Sequence, residues 1–431
     1  MASWKLLSLS LLGYFSSAAC ARKLCPVPTS NSTTLSDSAL INEVFARCAE
    51  DSTILFKKGV NYNVFEPISA TNLSNVIISV QGDLHLPQDI PAVQKIVAAG
   101  GGSVQWFDFK GTDVQYIGSE DVTTGWIRSY GQQWWDANPA GSTGLASRPH
   151  LIRFQVTNGV IKYFKSWKPI GWNVAVKGSN ITISHAIVDS VSESGSFPFN
   201  TDGFGISATD VTVSDSVIFN GDDAIAITDG AHNVLVERTT VGYQTHGLSI
   251  GSLGSDYTKL VNVSNIKFND ITFAGGLYAS RLKSWTGGQG LVKNVEWSNI
   301  RLFNVTFPIF ITQTYWDQNK ATSGRPTDTA VAMEDFTWEN WTGSINSYQP
   351  GDGSCASDPC WYNVGLPNLK HNEAIILECY NDQSCKNFSF NNIELYAQNL
   401  SPPSVICMNA KADTNPDMGI DCRNGTFVPL Y

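Results

Sequence analysis

One short phrase returns along this chain: an Asn or Asp, then β-forming residues that alternate between apolar and polar. It reads Asn180-Ile-Thr-Ile-Ser, Asp210-Val-Thr-Val-Ser, Asn233-Val-Leu-Val-Glu, Asn265-Ile-Lys-Phe-Asn and Asn294-Val-Glu-Trp-Ser, with starts 30, 23, 32 and 29 residues apart. Weaker echoes follow at Asp335-Phe-Thr-Trp-Glu and Asn387-Phe-Ser-Phe-Asn. A period of two buries one face of a strand. Short strands recurring at this irregular interval, with Gly, Asn and Asp between them, predict an all-β right-handed parallel β-helix. Its coils touch only their neighbours, so 431 residues can form one unit without a single oversized core. No low-complexity linker divides the chain, and residues 22–431 read as one domain. The convincing helical segment comes early, capped by Ser36 or Ser38 and ending near Cys48, where it would cover the open end of the first coil. Asp317–Thr329 and Ser347–His371 read as long loops.

The N-terminus changes the picture from fold to compartment. Lys5, the apolar run Leu6–Phe15 and the small residues up to Ala21 make a secretory signal peptide over residues 1–21. The run is shorter than the ~18 residues that suggest a membrane span. Of nine cysteines, Cys20 lies in the leader, and the even remainder suggests four disulfides in an oxidising compartment. Sequence leaves the connectivity open, and pairing of neighbours (25–48, 355–360, 379–385, 407–422) is the simplest choice. Nine Asn-x-Ser/Thr sequons, from Asn31 to Asn424, fit a secreted glycoprotein. No cysteine–histidine spacing suits zinc, and no cofactor is called for. A net charge of −10 disfavours nucleic acid as a partner and would repel a polyanion at long range. An acidic substrate then needs a local cationic clamp. A monomer with no membrane contact is expected.

The candidate chemistry falls in register with the repeat. Asp202, Asp222, His246, Arg281 and Tyr315 follow one another at intervals of roughly one coil, the last two with looped insertions. Coils lie about 4.8 Å apart, so these residues are expected on neighbouring rungs of one sheet. Asp222 and Asp223 are adjacent, and adjacent strand residues point oppositely. Both reach a shared cleft only if the backbone bends, which Gly221 permits. Three crowded aspartates cannot all ionise freely, so one should hold a proton and serve as a general acid. His246 could support that acid. Arg281 and Lys283 share a strand face and could hold a carboxylate between them. Each string taken alone also occurs as an ordinary turn, a Ca²⁺ site or a solvated strand face. It is their order and register that point to hydrolysis of an acidic polysaccharide.

Asn200-Thr-Asp-Gly, Gly221-Asp-Asp, His246-Gly and Arg281-Leu-Lys together resemble the signature of the glycoside hydrolases of family 28, the polygalacturonase family. The likeness runs from about Trp134 to Tyr315 and includes Ser249-Ile-Gly-Ser-Leu-Gly. It implies a parallel β-helix and metal-free inverting hydrolysis of α-1,4-galacturonosyl linkages. By matching motif, Asp222 resembles the general acid, Asp202 and Asp223 the water-activating pair, and His246 the supporting histidine. Asn200, Arg281, Lys283 and, more loosely, Tyr315 resemble substrate contacts. Gly205 and Ala224 depart from the common pattern, where Asp and Cys often stand.

The two long loops favour exo action, release of galacturonate from the non-reducing end, because an exo cleft must be closed at one end. Endo-polygalacturonase and rhamnogalacturonan or xylogalacturonan hydrolase are the alternatives within the family. A pectate lyase or a non-catalytic carbohydrate-binding β-helix is a more distant one. Among the tryptophans, Trp134, Trp135, Trp172, Trp285 and Trp316 are candidates to stack on sugar rings, although most tryptophans in such a chain are packing residues.

Overall fold

The computed structural model describes residues 22–315, 324–356, 360–363, 366, 369–423 and 427–430. The expected leader, Trp316, and part of the first long loop fall outside these. Described strands pair in parallel from coil to coil, apart from one antiparallel pairing of Ser404–Met408 with Phe427–Pro429. The repeat therefore winds a parallel β-helix, with the hand favoured by parallel crossovers.

Three faces run the length of the helix. On the first, Ile183, Val213, Val236, Phe268, Trp297, Trp338 and Phe390 form one inward column. Its aromatic members stack: Trp297 on Trp338 at 5.3 Å and Trp338 on Phe390 at 4.5 Å, both 8° from parallel. A second face carries the column Val188, Ile218, Val241, Phe273 and Leu302. The third carries Ile152, Val174, Phe204, Ile225, Leu248, Ser280, Ile309, Ile375 and Val405. The candidate site lies on the outside of this third face.

The Asn or Asp that opens each phrase marks a corner, not a strand start. Asn180, Asp210, Asn233, Asn265 and Asn294 have φ between 55° and 57°, the left-handed region that Asn and Asp enter more readily than other side chains. There the chain turns from the third face to the first. Their side chains link the coils: Asn294 Nδ2 donates to Asn265 Oδ1 (2.7 Å), Asn265 Nδ2 to Asn233 Oδ1 (2.8 Å) and Asn233 Nδ2 to Asp210 Oδ1 (2.9 Å).

The early helix is present as Ser38–Arg47, ending at Cys48, with Ile41, Val44 and Phe45 buried. Its cap is Asp37, neither Ser36 nor Ser38. The Asp37 carboxylate does not cap the helix but accepts from the Ser30 and Asn63 amides at 2.6 and 2.9 Å. A second helix, Ile90–Ala99, was not expected; it has an Asp89 cap accepting from the Ala92 amide. Of its largely apolar residues only Val93 and Val97 are buried. All four neighbour-paired disulfides are present, at 25–48, 355–360, 379–385 and 407–422. Among the described residues no helix is long and apolar enough to cross a membrane.

Candidate active site

The third face explains which side chains meet. Leu248 pairs with Ser280, Ser249 with Arg281 and Gly251 with Lys283. Leu282 points inward and is fully buried, so Arg281 and Lys283 on either side of it point outward together. The three aspartates and His246 lie where the chain enters the strands Phe204–Ser214, Asp223–Ile227 and Gly247–Leu253. Asp202, Asp222, Asp223, His246, Arg281, Lys283 and Tyr315 all line one cleft of about 570 Å³, together with Asn200, Trp172 and Trp361. That volume lies within the ~300–1,000 Å³ usual for small-ligand sites. Tyr315 pairs with Trp285, beyond Lys283 on the strand, so it enters the cleft from the strand's far end.

The adjacent aspartates reach the cleft because the strand is irregular there. Gly221 makes an isolated bridge to Phe199, Asp222 sits in a bend, and the register slips between Asp223 and Ile225. Gly221 is needed for close approach rather than for an unusual φ. A Cβ there would lie 2.5 Å from Pro198 Cγ and 2.9 Å from Pro198 O.

Each acidic side chain has a different environment. Asp223 is 2 % exposed; its Oδ2 lies 2.7 Å from Lys283 Nζ, and its Oδ1 accepts from Ser249 Oγ and sits 3.6 Å from Arg281. Asp222 Oδ1 accepts from the Asp223 amide (2.8 Å) and lies 3.2 Å from His246 Nδ1, while Oδ2 accepts from Asn200 Nδ2 (3.1 Å). Burial would raise Asp222, but His246, Lys283 and Arg281 outweigh it and hold the carboxyl well below the usual range. Asp202 goes the other way. Burial, with Asp222 and Asp223 beside it, pushes it well above the carboxylate range, and its Oδ1 has no partner among the described residues. Asp202 is thus the carboxyl of the three whose surroundings favour keeping a proton.

His246 is enclosed by two acids. Nδ1 faces Asp222, and Nε2 lies 2.7 Å from Asp352 Oδ2. Burial would lower it, yet Asp222 and Asp352 raise it to about 9. Asp222, Asp223 and His246 bring ligand-type atoms within 4.8 Å of one another. A charged imidazole and a lysine already neutralise that cluster, which argues against a resident metal.

Arg281 is 1 % exposed, stacked 4.5 Å from the Tyr278 ring, 5.1 Å from Trp361 and 5.7 Å from Tyr315. Its Nε has no partner among the described residues. A buried guanidinium with unspent donors, facing a cleft, is prepared for an anion.

Some expectations need amendment. Trp134 and Trp135 are buried in the short helix Gln132–Asp136 and are packing residues. Trp285 packs edge-on against Tyr315 and under Arg325. Asn200 is engaged at both ends, its Oδ1 accepting from Arg148 at 2.7 Å, so its visible work is to orient Asp222. Ser249 is marked in the sequence only as the start of a flanking string, and nothing there marks Arg148, Asp352, Ser354 or Trp361. The last three come from the long loop, too far along the chain for coil spacing to flag.

Residues 78–367 match the profile of the glycosyl hydrolases family 28. The chain is 59 % identical over 419 residues to the probable exopolygalacturonase C of Aspergillus niger, covering 96 % of this chain and 94 % of that one. It is 58 % identical to the probable exopolygalacturonase C of Aspergillus flavus, over 94 % and 92 % of the two chains. Among solved structures, an endo-xylogalacturonan hydrolase from Aspergillus tubingensis superposes with a TM-score of 0.73 at 21 % identity, over 94 % and 99 % of the chains. That last likeness concerns the fold. The chain belongs to the glycosyl hydrolases family 28 and is a glycoside hydrolase.

Proposed function

We propose that the protein is a secreted exo-polygalacturonase that releases galacturonate from the non-reducing end of polygalacturonate in pectin by inverting hydrolysis. Residues 1–21 act as its leader and 22–431 as one catalytic unit, working as a monomer without metal, nucleic acid or membrane. The four disulfides suit an extracellular protein. The observation that carries the substrate reading is Arg281, buried among three aromatic rings with an unpartnered Nε beside the carboxylate trio. A sugar carboxylate is the anion that fits there, with Lys283 sharing it.

The same anion supplies the acid. Arg281 and Lys283 help hold Asp222 ionised; a bound uronate offsets their field, so the proton of the coupled trio moves from Asp202 to Asp222. Asp222 then gives it to the glycosidic oxygen as the bond to the anomeric carbon breaks. Water attacks that carbon from the opposite face, and its proton passes to the Asp202–Asp223 side. Tyr315 flanks the bound uronate.

Asp222 and Asp223 oxygens come within 4.8 Å, closer than the ~6.5–9.5 Å usual between inverting carboxyls and nearer the ~5–5.5 Å of retaining pairs. Inversion is still favoured because Ser249 and Lys283 hold both oxygens of Asp223, which blunts it as a nucleophile. The unpartnered Oδ1 of Asp202 can hold the water instead.

Exo action is supported by the likeness to the exopolygalacturonases and by the long loop, which sets Trp361 and Ser354 at the cleft. Viscosity followed against reducing ends on polygalacturonate tests it. Slow loss of viscosity with steady monosaccharide release is expected, and a rapid drop at little sugar release overturns the exo reading.

A further inference from the structure

We propose that Asp352 is a positioning residue of this reaction: from the disulfide-closed loop it grips the far nitrogen of His246 and fixes the ring against Asp222. The inference rests on the reading of Asp222 as the acid and extends it to a loop outside the four motifs.

The geometry is specific. His246 has carboxylate oxygens at both nitrogens, Asp222 Oδ1 at 3.2 Å and Asp352 Oδ2 at 2.7 Å. A neutral imidazole has one N–H and can satisfy only one of these; both are satisfied when both nitrogens donate. Asp352 is itself fixed. Its side chain is 1 % exposed, and its Oδ1 accepts from the Ser354 amide (2.9 Å) and Ser354 Oγ (2.6 Å). Trp361 Nε1 donates to that same Ser354 Oγ at 3.0 Å. The Cys355–Cys360 disulfide closes the segment between these residues. One clasped loop thus supplies the second acid for His246, the hydroxyl that holds that acid, and an aromatic ring for Arg281.

Asp223 also comes within 4.8 Å of His246, but Ser249 and Lys283 take both its oxygens, which leaves Asp352 as the second acid bonded to the imidazole. Tyr278 meets it edge-on at 6.0 Å from the Leu260–Trp285 strand, and Phe197 and Trp361 lie at 6.1 and 5.4 Å. Arg281 stands behind Tyr278 and Trp361. Asp352 does not line the substrate cleft, so its influence passes through His246. Burial lowers His246, but Asp222 and Asp352 together outweigh it and raise the ring to about 9. The loop that lines the cleft with Ser354 and Trp361 thus also holds His246.

The test is the titration of His246, read without substrate by ¹⁵N NMR of the histidine rings in the intact protein. A midpoint near 9 is expected in the native chain. In Asp352→Asn it should fall by about one unit or more, with kcat down about 10- to 100-fold and KM within about twofold. Asp352→Glu should restore part of both. A purely structural role would lower the melting temperature and leave the titration in place; an unmoved midpoint in Asp352→Asn overturns the proposal. Should that variant not fold, Ser354→Ala, which removes one donor from Asp352, should move the midpoint in the same direction by less. A native His246 titrating near the ordinary value of about 6.5 overturns it outright. Because this readout needs no polysaccharide, it stands apart from any failure of the pectin assignment.

Discussion

Replacing Arg281 by Gln tests the recognition of an acidic sugar where the structure makes it most specific. The guanidinium is 1 % exposed, and three aromatic rings hold it within 4.5–5.7 Å. A hydrogen bond to a charged group contributes about 1.5–3 kcal/mol, and removing one partner of a buried charge pair typically loses about 2–5 kcal/mol. Lys283 remains to hold the substrate carboxylate, although one of its donors is already used by Asp223. The net loss should be about 2–4 kcal/mol. At about 1.4 kcal/mol per tenfold, this is roughly a 30- to 1,000-fold fall in kcat/KM. Arg281→Lys keeps the charge but loses the planar fork and its stacking, so a loss of about tenfold is expected. The assay compares kcat/KM on oligogalacturonides with free and with methyl-esterified carboxyls. The native enzyme should prefer the free acid, and Arg281→Gln should lose most of that preference. Equal losses on acid and ester, or activity within about threefold of native, would refute the assignment of Arg281 to the substrate carboxylate.

Asp222→Asn should lose at least about 10³-fold in turnover while keeping the native circular dichroism spectrum and ligand binding; substantial residual activity refutes its role as acid. Stability should depend on pH with a definite sign. His246 is raised to about 9, so its contribution is full below its unfolded value of about 6.5 and is lost as pH rises through 9. At about 1.4 kcal/mol per unit this is on the order of 3 kcal/mol. Asp202 is also raised, so its contribution is full below its unfolded value of about 4 and is lost as pH rises through its folded value. Asp222 is depressed, and its contribution is present above about pH 4 and lost as pH falls. Urea midpoints from pH 4 to 10 check this, and His246→Gln should flatten the alkaline fall. Gly221→Ala places a methyl 2.5 Å from Pro198 Cγ and should destabilise by about 1–3 kcal/mol, with a larger loss of kcat than of binding, since Asp222 shifts.

Much of the site was legible because a solenoid turns sequence interval into spatial adjacency. Asp202, Asp222, His246 and Arg281 lie on successive coils of one face, and the coil interval alone brings them together. The leading Asn of each phrase was readable as a repeat mark, but its role as a left-handed corner with a side-chain ladder needed φ values. Asp352 was not legible. It joins the site through a looped excursion between Ile309 and its partner Ile375, where chain distance no longer measures height along the helix. Sequence could not separate Trp134 and Trp135 from sugar-stacking residues, because an aromatic pair reads the same whether it faces a sugar or a core; both pack in the core. The distribution of the single proton was also hidden, since it depends on which carboxylate faces His246 and the cations.

The central claim is that Asp202, Asp222 and Asp223 direct water to one face of a uronate whose carboxylate is held by Arg281 and Lys283. The most direct test is ¹H NMR of the first galacturonate formed from polygalacturonate, recorded before mutarotation. Appearance of the β-anomer from the α-linkage, with no unsaturated sugar, is the predicted result. An α-anomer formed first would mean that one of these carboxylates attacks the sugar covalently, and an unsaturated product would mean elimination; either contradicts the account.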